Sequence, residues 1–550
     1  MIKHFFILFE LLILGFLSLA QGNQLKQRLN YPLSISPRLN ANFGEMRPNH
    51  FHMGLDLFTE RRENLTVYAP SDGFVSRVKI ELGGFGRAIY IDHPNGTTSV
   101  YAHMNRFLPS VESYLEKKQY EQETWKIDLK IPAGMIKVKR GDLIGYSGNT
   151  GASEGPHVHF ELRDTKTENC LNPLTNGINI SDHVPPIVKQ LAFYDFEKSI
   201  YDQIPILVSV IKKGESYVPL NKIELPFDKV VVGIVAVDMM NGNPNGIYSA
   251  FLKKEQQKIA GFVLENISYD FTRNQNGHID YVHRFKGGAY IQLLHRPKFF
   301  QSDIYPQHLN KPFLQNEDVF YSYSIEAKDA NGNKSHVDFQ VKRNPLKNVK
   351  AIGVQNIFFG KKNFFEQGNI RFEFPSDAFY DSFRMTVVET MNSFQVQPSY
   401  IPVNSSFQVF IKPNGIKIDT GRAIIKRVLK SKVEVKKATF DKNRFIASFK
   451  EFGSFQLIED LDPPVANFNI LNASQLKNGD QIMLSVTDNL KAIRFAEVRS
   501  DGNWLMFKPS GSNYIYRVDE HLTAGEHLLT AIVIDEAGNK ATAQIKIKKL

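Results

Sequence analysis

The sequence is poor in cysteine, since Cys170 is the only one among 550 residues. A lone cysteine cannot form an intramolecular disulfide, which excludes a disulfide-stapled scaffold. Tryptophan is also scarce, with two residues, whereas phenylalanine and tyrosine number 42 and 21. Because aromatic residues are enriched in strands, this composition favours β-rich domains over helical bundles.

Long apolar runs are missing after the first twenty residues. The one candidate, from Phe5 to Leu19, is short for a membrane span, follows Lys3 and ends near small residues. It predicts a signal peptide over residues 1–20, with an uncleaved anchor as the alternative. We therefore expect an exported chain without a transmembrane segment in its mature form, located in the periplasm, at the cell surface or outside the cell.

The chain is basic, with a formal net charge of +10. In an exported protein this charge favours anionic surfaces such as cell-wall polymers or lipid headgroups. The sequence contains no helix-turn-helix, zinc-finger or RNA-binding signature, so we expect no nucleic-acid partner.

The predicted fold class is all-β, with a compact antiparallel β core followed by several β-sandwich domains. A chain of this length exceeds one hydrophobic core. The core domain contains an insertion near residues 107–137, in which the apolar spacing from Val111 to Tyr120 predicts a short helix. The predicted divisions of the mature chain are 21–183, 184–343, 344–461 and 462–550.

Two later segments repeat each other. Val184-Pro185-Pro186 and Asp462-Pro463-Pro464 resemble matching domain starts, and the stretch from Ala327 to Lys334 resembles that from Ile534 to Lys540. Each of the latter lies between candidate strands and predicts a glycine-containing hairpin late in an immunoglobulin-like sandwich. The part between the two sandwiches is rich in strands, and we interpret it as a β domain of unclear type.

Four histidines and one aspartate in the first third of the chain form the strongest functional pattern: His52, Asp56, His103, His157 and His159. His52 and Asp56 share one face if extended, and Gly54 lets the backbone bend so that both reach one ion. His157 and His159 also share a strand face, so one can bind a metal while the other stands beside its water.

Two imidazoles and one carboxylate suit Zn²⁺ and leave one position open, as in catalytic zinc sites. His157 is the first candidate for the general base, and His103 either shares that work or stabilises an oxyanion. Any single histidine among the 15 is more often an ordinary surface or core residue, and His50 is expected on an approach loop. The combination of three histidine elements in one β-rich region favours a metallohydrolase.

At this point the sequence resembles the lysostaphin/LytM-type zinc endopeptidases, which cut peptides of bacterial peptidoglycan. The resemblance covers about residues 39–173. Its matching motifs are FHMGLD at 51–56, APSDG at 69–73, YAHM at 101–104, GDLIG at 141–145, SGNTG at 147–151 and GPHVHFE at 155–161.

The resemblance implies a small β core with a groove over the metal. It implies that His52, Asp56 and His159 are the ligands of Zn²⁺, and that the catalytic histidines are His103 and His157. The implied activity is hydrolysis of peptide bonds in peptidoglycan stems or cross-bridges. The β-sandwich domains lie outside the resemblance, and cell-envelope proteins are candidate partners for them.

Several alternatives stay open at this stage. The groove can instead bind wall peptide or a partner amidase without cutting, or the chain is mainly an adhesive β protein with a vestigial peptidase head. The insertion narrows the groove, closes over it, docks a partner or merely decorates the surface. In some relatives an upstream residue fills the open zinc position, for which Asn40, Asn42 and Asn49 are candidates, although a groove wall is the simpler interpretation.

Overall fold

The computed structural model describes residues 28–297, 303–314, 319–344, 354–390, 393–415 and 417–550. The predicted signal peptide, residues 1–20, lies outside these ranges. Strands dominate the described chain, which confirms the predicted all-β class. Its α-helices are α1 Pro109–Glu121, α2 Gln275–His278 and α3 Tyr281–Phe285, and its 3₁₀ helices are Ile200–Asp202 and Tyr269–Asn274. Within the described ranges, none of these helices has the length and apolarity to cross a bilayer.

The first part of the structure, residues 28–183, is called the N-terminal domain. Its strands are β1 Leu39–Ala41, β2 Met46–Arg47, β3 His50–Phe51, β4 Leu55–Phe58, β5 Thr66–Tyr68, β6 Gly73–Ile80, β7 Arg87–Asp92, β8 Thr97–Ala102, β9 Arg106–Phe107, β10 Ile127–Lys130, β11 Lys137–Val138, β12 Leu143–Tyr146, β13 His157–Asp164 and β14 Cys170–Leu171.

Most of these strands form one antiparallel sheet with the order β1-β4-β13-β8-β7-β6-β10. β11 adds to β6, β14 adds to β13, and a smaller sheet has the order β5-β12-β9. On β13 the apolar residues Val158, Phe160 and Leu162 are buried. This alternation directs the intervening polar side chains to the opposite face of the sheet. The predicted helix of the insertion is present as α1, which begins with Pro109 at its first turn.

The next part is called the second β-domain. Its strands, together with those that cross back to the N-terminal domain, are β15 Ile187–Asp195, β16 Ile206–Lys213, β17 Ser216–Pro219, β18 Ile223–Leu225, β19 Lys229–Met240, β20 Asn243–Asn245, β21 Ser249–Lys254, β22 Gln257–Val263, β23 Asn266–Ile267, β24 Gln292–Leu293, β25 Phe313–Leu314, β26 Tyr321–Lys328 and β27 Lys334–Arg343. Apart from β23, they are hydrogen-bonded in one connected order, β20-β19-β15-β16-β17-β27-β26-β21-β22, with β18, β24 and β25 attached at its sides.

The third β-domain contains two five-stranded sheets that enclose one apolar core. Its strands are β28 Asn363–Gln367, β29 Ile370–Phe374, β30 Thr386–Thr390, β31 Ser393–Gln397, β32 Phe407–Ile411, β33 Ala423–Leu429, β34 Lys432–Lys437, β35 Thr439–Asp441, β36 Arg444–Phe449 and β37 Ser454–Glu459.

The fourth β-domain has a four-stranded and a five-stranded sheet around a separate core. Its strands are β38 Val465–Phe468, β39 Ser474–Leu476, β40 Gln481–Thr487, β41 Ile493–Ser500, β42 Asn503–Leu505, β43 Lys508–Ser510, β44 Asn513–Arg517, β45 Gly525–Asp535 and β46 Lys540–Lys549. The repeated turns join β26 to β27 and β45 to β46, where Gly332 and Gly538 have φ values of 94° and 96°. That left-handed conformation favours glycine.

The N-terminal and second domains share one apolar core, which positions the metal-site strands described below. β23 pairs with β14 and so extends the main N-terminal sheet. The side chain of Asn42 donates to the main-chain oxygen of Gly246 at 2.7 Å and accepts from its nitrogen at 3.1 Å. The predicted domain divisions stay predictions, and at the first of them the two domains share their apolar core.

Candidate active site

The register of the central sheet assembles most of the predicted site. His159 on β13 lies opposite Asp56 of β4 on one side and opposite Ala102 of β8 on the other. Opposed residues of antiparallel strands have Cβ atoms about 5 Å apart, so this register alone brings the aspartate beside the histidine. His103 follows the end of β8 directly and therefore reaches the same place.

His52 enters from the segment just before β4. A Cβ atom on Gly54 would lie 2.3 Å from the main-chain oxygen of Phe160. The chain bends at Gly54, just before β4 begins. The missing side chain also lets the backbone of the paired strand β13 approach closely. His52 and Asp56, on either side of this bend, reach the same place.

Three buried side chains converge within hydrogen-bonding distance. Oδ1 of Asp56 lies 3.0 Å from Nε2 of His52 and 2.9 Å from Nδ1 of His159. The two ring nitrogens are 3.0 Å apart. These are the three residues expected to bind metal, and the structure brings all of them together.

The hydrogen bonds behind the rings fix which nitrogen each histidine presents. Nδ1 of His52 lies 2.7 Å from the main-chain oxygen of Asn42, which can only accept, so this nitrogen carries the proton and Nε2 is free. Nε2 of His159 lies 3.0 Å from Oε1 of Glu161 and donates to it, which frees Nδ1.

This arrangement fits a bound zinc ion. Two ring nitrogens held as acceptors and a carboxylate oxygen point at one another, and such lone pairs repel unless a proton or a cation lies among them. Two imidazoles and one carboxylate are also a common donor set of catalytic zinc. His52, Asp56 and His159 would therefore hold the ion.

The other two predicted histidines stand beside this cluster. Nε2 of His157 is 3.4 Å from Oδ1 of Asp56, and the ring centroids of His103 and His157 are 4.7 Å apart. Their Nδ1 atoms each lie 2.8 Å from a main-chain oxygen, that of Thr150 for His103 and that of Gly155 for His157. Both rings therefore present an unprotonated Nε2 in their neutral form.

His103 also has a φ of 62°, in the left-handed region. A non-glycine residue in this region carries backbone strain, which the surrounding structure must hold in place. The main-chain nitrogen of His103 donates to the oxygen of Phe85 at 2.9 Å. The strained conformation turns the ring towards the cluster at the strand end.

Burial and neighbouring charges set the protonation states. Burial lowers the pKa of His52 to about 4, and burial together with the nearby His159 and His157 lowers the pKa of His103 to about 3. Both are neutral at pH 7. Burial alone would also lower the pKa of His159, but its hydrogen bonds to Asp56 and Glu161 raise it to about 9.

A buried network supports His159 from behind. Nε of Arg163 donates to Oε2 of Glu161 at 2.7 Å, and the hydroxyl of Tyr269 donates to Oε1. Although burial opposes ionisation, Arg163 and His159 hold the pKa of Glu161 at about 2. The sequence analysis missed these roles. The two-residue spacing from His159 to Glu161 on one strand signals a shared face, whereas nothing local identifies Tyr269, which belongs to the segment after β23.

The candidate self-inhibitory asparagines are mostly engaged elsewhere. Asn42 bonds Gly246 as described, and Asn49 donates to Oε1 of Glu451 at 3.1 Å in the third β-domain. Asn40 lines the open groove of about 1080 Å³ over the cluster. A different residue reaches the cluster from this segment, because Nη2 of Arg47 lies 2.5 Å from Oδ2 of Asp56. Arg47 thus binds the oxygen that points away from the two histidine ligands.

Comparison with known proteins agrees with this geometry. Residues 50–120 and 130–173 match peptidase family M23, and residues 355–460 match the Zu5-like domain. An uncharacterized metalloprotease of Haemophilus influenzae is 32% identical over 165 residues, which are 28% of each chain. The DD-carboxypeptidase/endopeptidase Mpg of Neisseria meningitidis is 29% identical over 145 residues, which are 26% of this chain and 27% of Mpg.

The chain therefore spans less than a third of the length of these relatives. Among solved structures, a zinc-containing peptidase from Vibrio cholerae is 26% identical over 26% of this chain and 38% of its own, with a TM-score of 0.19. The matched residues contain all five side chains of the site. Between residues 50 and 173, the chain carries a domain of peptidase family M23.

Proposed function

We propose that this chain is an exported, zinc-dependent endopeptidase that hydrolyses peptide bonds in the stems or cross-bridges of peptidoglycan. One observation carries the proposal: His52, Asp56 and His159 converge on one point, and the free nitrogens of His103 and His157 stand beside it. This group lies in an open groove that can admit an extended peptide.

Different residues would bind the metal and transfer the proton. Zinc held by the three ligands would supply Lewis acidity towards a water molecule and the scissile carbonyl. His157 borders the open groove and lies against Asp56, so its Nε2 is placed to take the proton from water and return it to the leaving amine. In its neutral form His103 presents an unprotonated Nε2 beside His157, so it can accept a hydrogen bond there but cannot donate one to an oxyanion, and its low pKa makes it a weak proton acceptor.

Named relatives support the substrate class. Mpg is a DD-carboxypeptidase/endopeptidase, and ShyA of Vibrio cholerae, 27% identical over 180 residues, is a peptidoglycan DD-endopeptidase. Arg38, Arg47 and Arg61 line the groove and offer charge to the carboxylates of a peptide stem. The β-domains would act as spacers or as docks for envelope partners, in the periplasm or at the cell surface.

The test is digestion of purified peptidoglycan and defined cross-linked muropeptides by the zinc-loaded mature chain, with mass spectrometry of the products. We expect peptide cleavage that releases new amino termini and leaves glycan bonds intact. Removal of zinc should abolish it, and added Zn²⁺ should restore it.

Variants separate catalysis from binding. His157→Ala should retain zinc and lose about 10²- to 10⁴-fold in kcat, as for removal of a general base. His159→Ala should lose the metal as well. His308→Ala, an exposed histidine of the second β-domain, is the matched control. Tight binding of muropeptides without any cleavage by the zinc-loaded chain would instead identify a non-catalytic wall-binding or amidase-regulating protein.

A further inference from the structure

A group of three aspartates lies where the chain enters the second β-domain, and a corresponding group lies where it enters the fourth. The first triad is Asp182, Asp238 and Asp329, all buried, and the second triad is Asp460, Asp488 and Asp535, of which Asp488 is partly exposed. Within each triad, one carboxylate oxygen of each residue lies within 4.8 Å of one from each of the other two. Neither triad belongs to the peptidase groove or enters the proposed reaction.

The two triads are built from the same sequence pattern. Asp182 and Asp460 each stand three residues before the first of the paired prolines that open their domains, in D-x-x-P-P. Asp329 and Asp535 each begin the repeated hairpin turn, D-x-x-G-N-K. Asp238 lies on β19, and Asp488 follows β40 directly. The repeats noted in the sequence thus supply matching corners of both triads.

One asparagine holds each pair of corners in the same way. Asn333 donates from Nδ2 to Oδ2 of Asp329 at 2.7 Å and to the main-chain oxygen of Asp182 at 3.2 Å. Asn539 likewise donates to Oδ2 of Asp535 at 2.8 Å and to the main-chain oxygen of Asp460 at 2.9 Å. The asparagine fixes the turn against the entering segment, and one carboxylate oxygen of each aspartate lies near those of the other two.

Several of those oxygens are buried without any partner. Oδ2 of Asp182 and Oδ1 of Asp238 accept no hydrogen bond, although these residues are only 9% and 2% exposed. Oδ1 of Asn245, the residue paired with Asp238 across β19 and β20, is also unpartnered. In the second triad the same holds for Oδ1 of Asp488. An unsatisfied buried polar atom is costly and rare, and each of these requires an explanation.

Charge repulsion destabilises the first triad further when no cation is bound. No lysine, arginine or histidine among the described residues forms an ion pair with any of the six aspartates. Burial, Asp329 and Asp182 together raise the pKa of Asp238 to about 7. Protonation would lower the repulsion, but it would leave Oδ1 of Asp238 without a hydrogen-bond partner. A bound cation would neutralise the negative charge and coordinate the unpartnered oxygens.

We propose that each triad binds one Ca²⁺ ion, which ties the segment that enters its β-domain to the end of a strand and to the repeated hairpin turn of that domain. All donors are oxygens, which excludes a preference for Zn²⁺ and favours a hard cation. Ca²⁺ accepts six to eight oxygens in flexible geometry, whereas Mg²⁺ keeps several waters that a buried triad has little room for. The ions would stiffen the junction after the peptidase domain and the one before the last domain.

The test begins with a calcium count. The zinc-loaded mature chain is dialysed against chelator-treated buffer and titrated with CaCl₂, and bound calcium and zinc are measured together. We expect two Ca²⁺ per chain. Asp238→Asn should remove one, Asp488→Asn should remove the other, and the double variant should bind none, all with unchanged zinc. Asp338→Asn, an exposed aspartate on β27, is the control and should retain both.

Thermal unfolding tests the role independently of the count. Calcium should raise the Tm of the wild-type chain by at least about 4 °C. Asp238→Asn relieves repulsion, so it should match or exceed the wild-type Tm without calcium and lose most of the calcium-induced rise. A purely structural aspartate would instead lower Tm equally with and without calcium. That result, or a wild-type chain that binds no calcium at millimolar concentration, would overturn the proposal.

Discussion

The second and fourth β-domains carry the same repeated turns and the same aspartate triads, yet they relate to the peptidase domain in opposite ways. The second contributes Tyr269 to the network behind His159, a proposed zinc ligand, and shares one apolar core with the N-terminal domain. The fourth β-domain has its own core and contacts α1, the helix of the insertion in the N-terminal domain. There Tyr120 stacks on His521 with ring centroids 3.5 Å apart, and Arg499 pairs with Glu123.

The difference shows that one β architecture can serve either as part of an active-site scaffold or as a docked module. The contacts that a β-domain makes with the N-terminal domain, and not its fold, decide which of the two roles it has. A shared core stabilises the whole unit in proportion to the buried apolar area, whereas a stacked ring and an exposed ion pair contribute little.

Truncation should separate the two domains most clearly. A chain that ends after residue 183 loses β23, the partner of β14, and leaves apolar core residues of the N-terminal domain exposed. We expect it to be insoluble or to unfold without a cooperative transition. A chain that ends after residue 461 should fold and retain zinc and peptidase activity. Equal stability of both truncated chains, measured by thermal unfolding, would contradict the contrast.

Zinc affinity should depend steeply on pH because of the network that the second β-domain completes. Without metal, His159 has a pKa of about 9, whereas His52, at about 4, is already neutral and Asp56 is ionised at pH 7. Zinc must therefore displace one proton, and its affinity should rise about tenfold per pH unit from pH 7 towards 9. Competition titrations with a metal indicator measure this slope. Glu161→Gln should flatten it, because the variant lowers the pKa of His159.

A glycine at the junction allows a matched comparison. Gly44 has a φ of 79°, and an added Cβ would lie 2.8 Å from Cδ1 of Leu264, which is fully buried in the second β-domain. Gly96 has nearly the same φ of 80° but open space around it. Gly44→Ala should therefore destabilise the chain by about 1–3 kcal/mol more than Gly96→Ala. Equal changes in Tm for the two variants would mean that the junction accommodates the added methyl group without loss of stability.

The Tyr269 hydroxyl should matter more than the Tyr120 hydroxyl. Tyr269→Phe removes a hydrogen bond to Glu161, which orients His159, and outer hydrogen bonds of this kind contribute about tenfold or more in metal affinity. Tyr120→Phe removes a hydroxyl that lies at the contact with the fourth β-domain, beside Met506 and Trp504, so zinc affinity should not change. Competition titrations of both variants, with a fold check by circular dichroism, measure the difference. A loss of zinc affinity in both would remove the distinction between the two contacts.

The sequence predicted which side chains converge because short motifs mark them, although Asp56 and His159 are 103 residues apart. Alternation along His157-Val158-His159 corresponds to a face of β13, whereas the four-residue spacing from His52 to Asp56 spans the bend at Gly54. Strand register then brings the proposed metal ligands together, because Asp56 pairs with His159. The helix α1 was predictable for the same reason, since its apolar spacing and Pro109 are local signals.

Other features depend on contacts between distant parts of the chain. Tyr269 lies 108 residues from Glu161, and no local pattern links the two. Arg47 reaches Asp56 from the short hairpin of β2 and β3. The aspartate triads left a repeat in the sequence, but their convergence needs three separate segments to fold together. The close approach of β13 to Gly54 likewise cannot be inferred from one strand alone.

The smallest effect should come from the contact between the fourth β-domain and α1. Arg499 and Glu123 are 31% and 49% exposed, so solvent screens the pair and its loss should alter overall stability little. Arg499→Glu reverses the charge and should loosen this contact, which would make the segment after α1 more sensitive to limited proteolysis. Zinc affinity and peptidase activity should stay within about twofold of wild type, because exposed pairs contribute little. A larger loss of activity would mean that the fourth β-domain acts on the groove through α1, as the second acts through Tyr269.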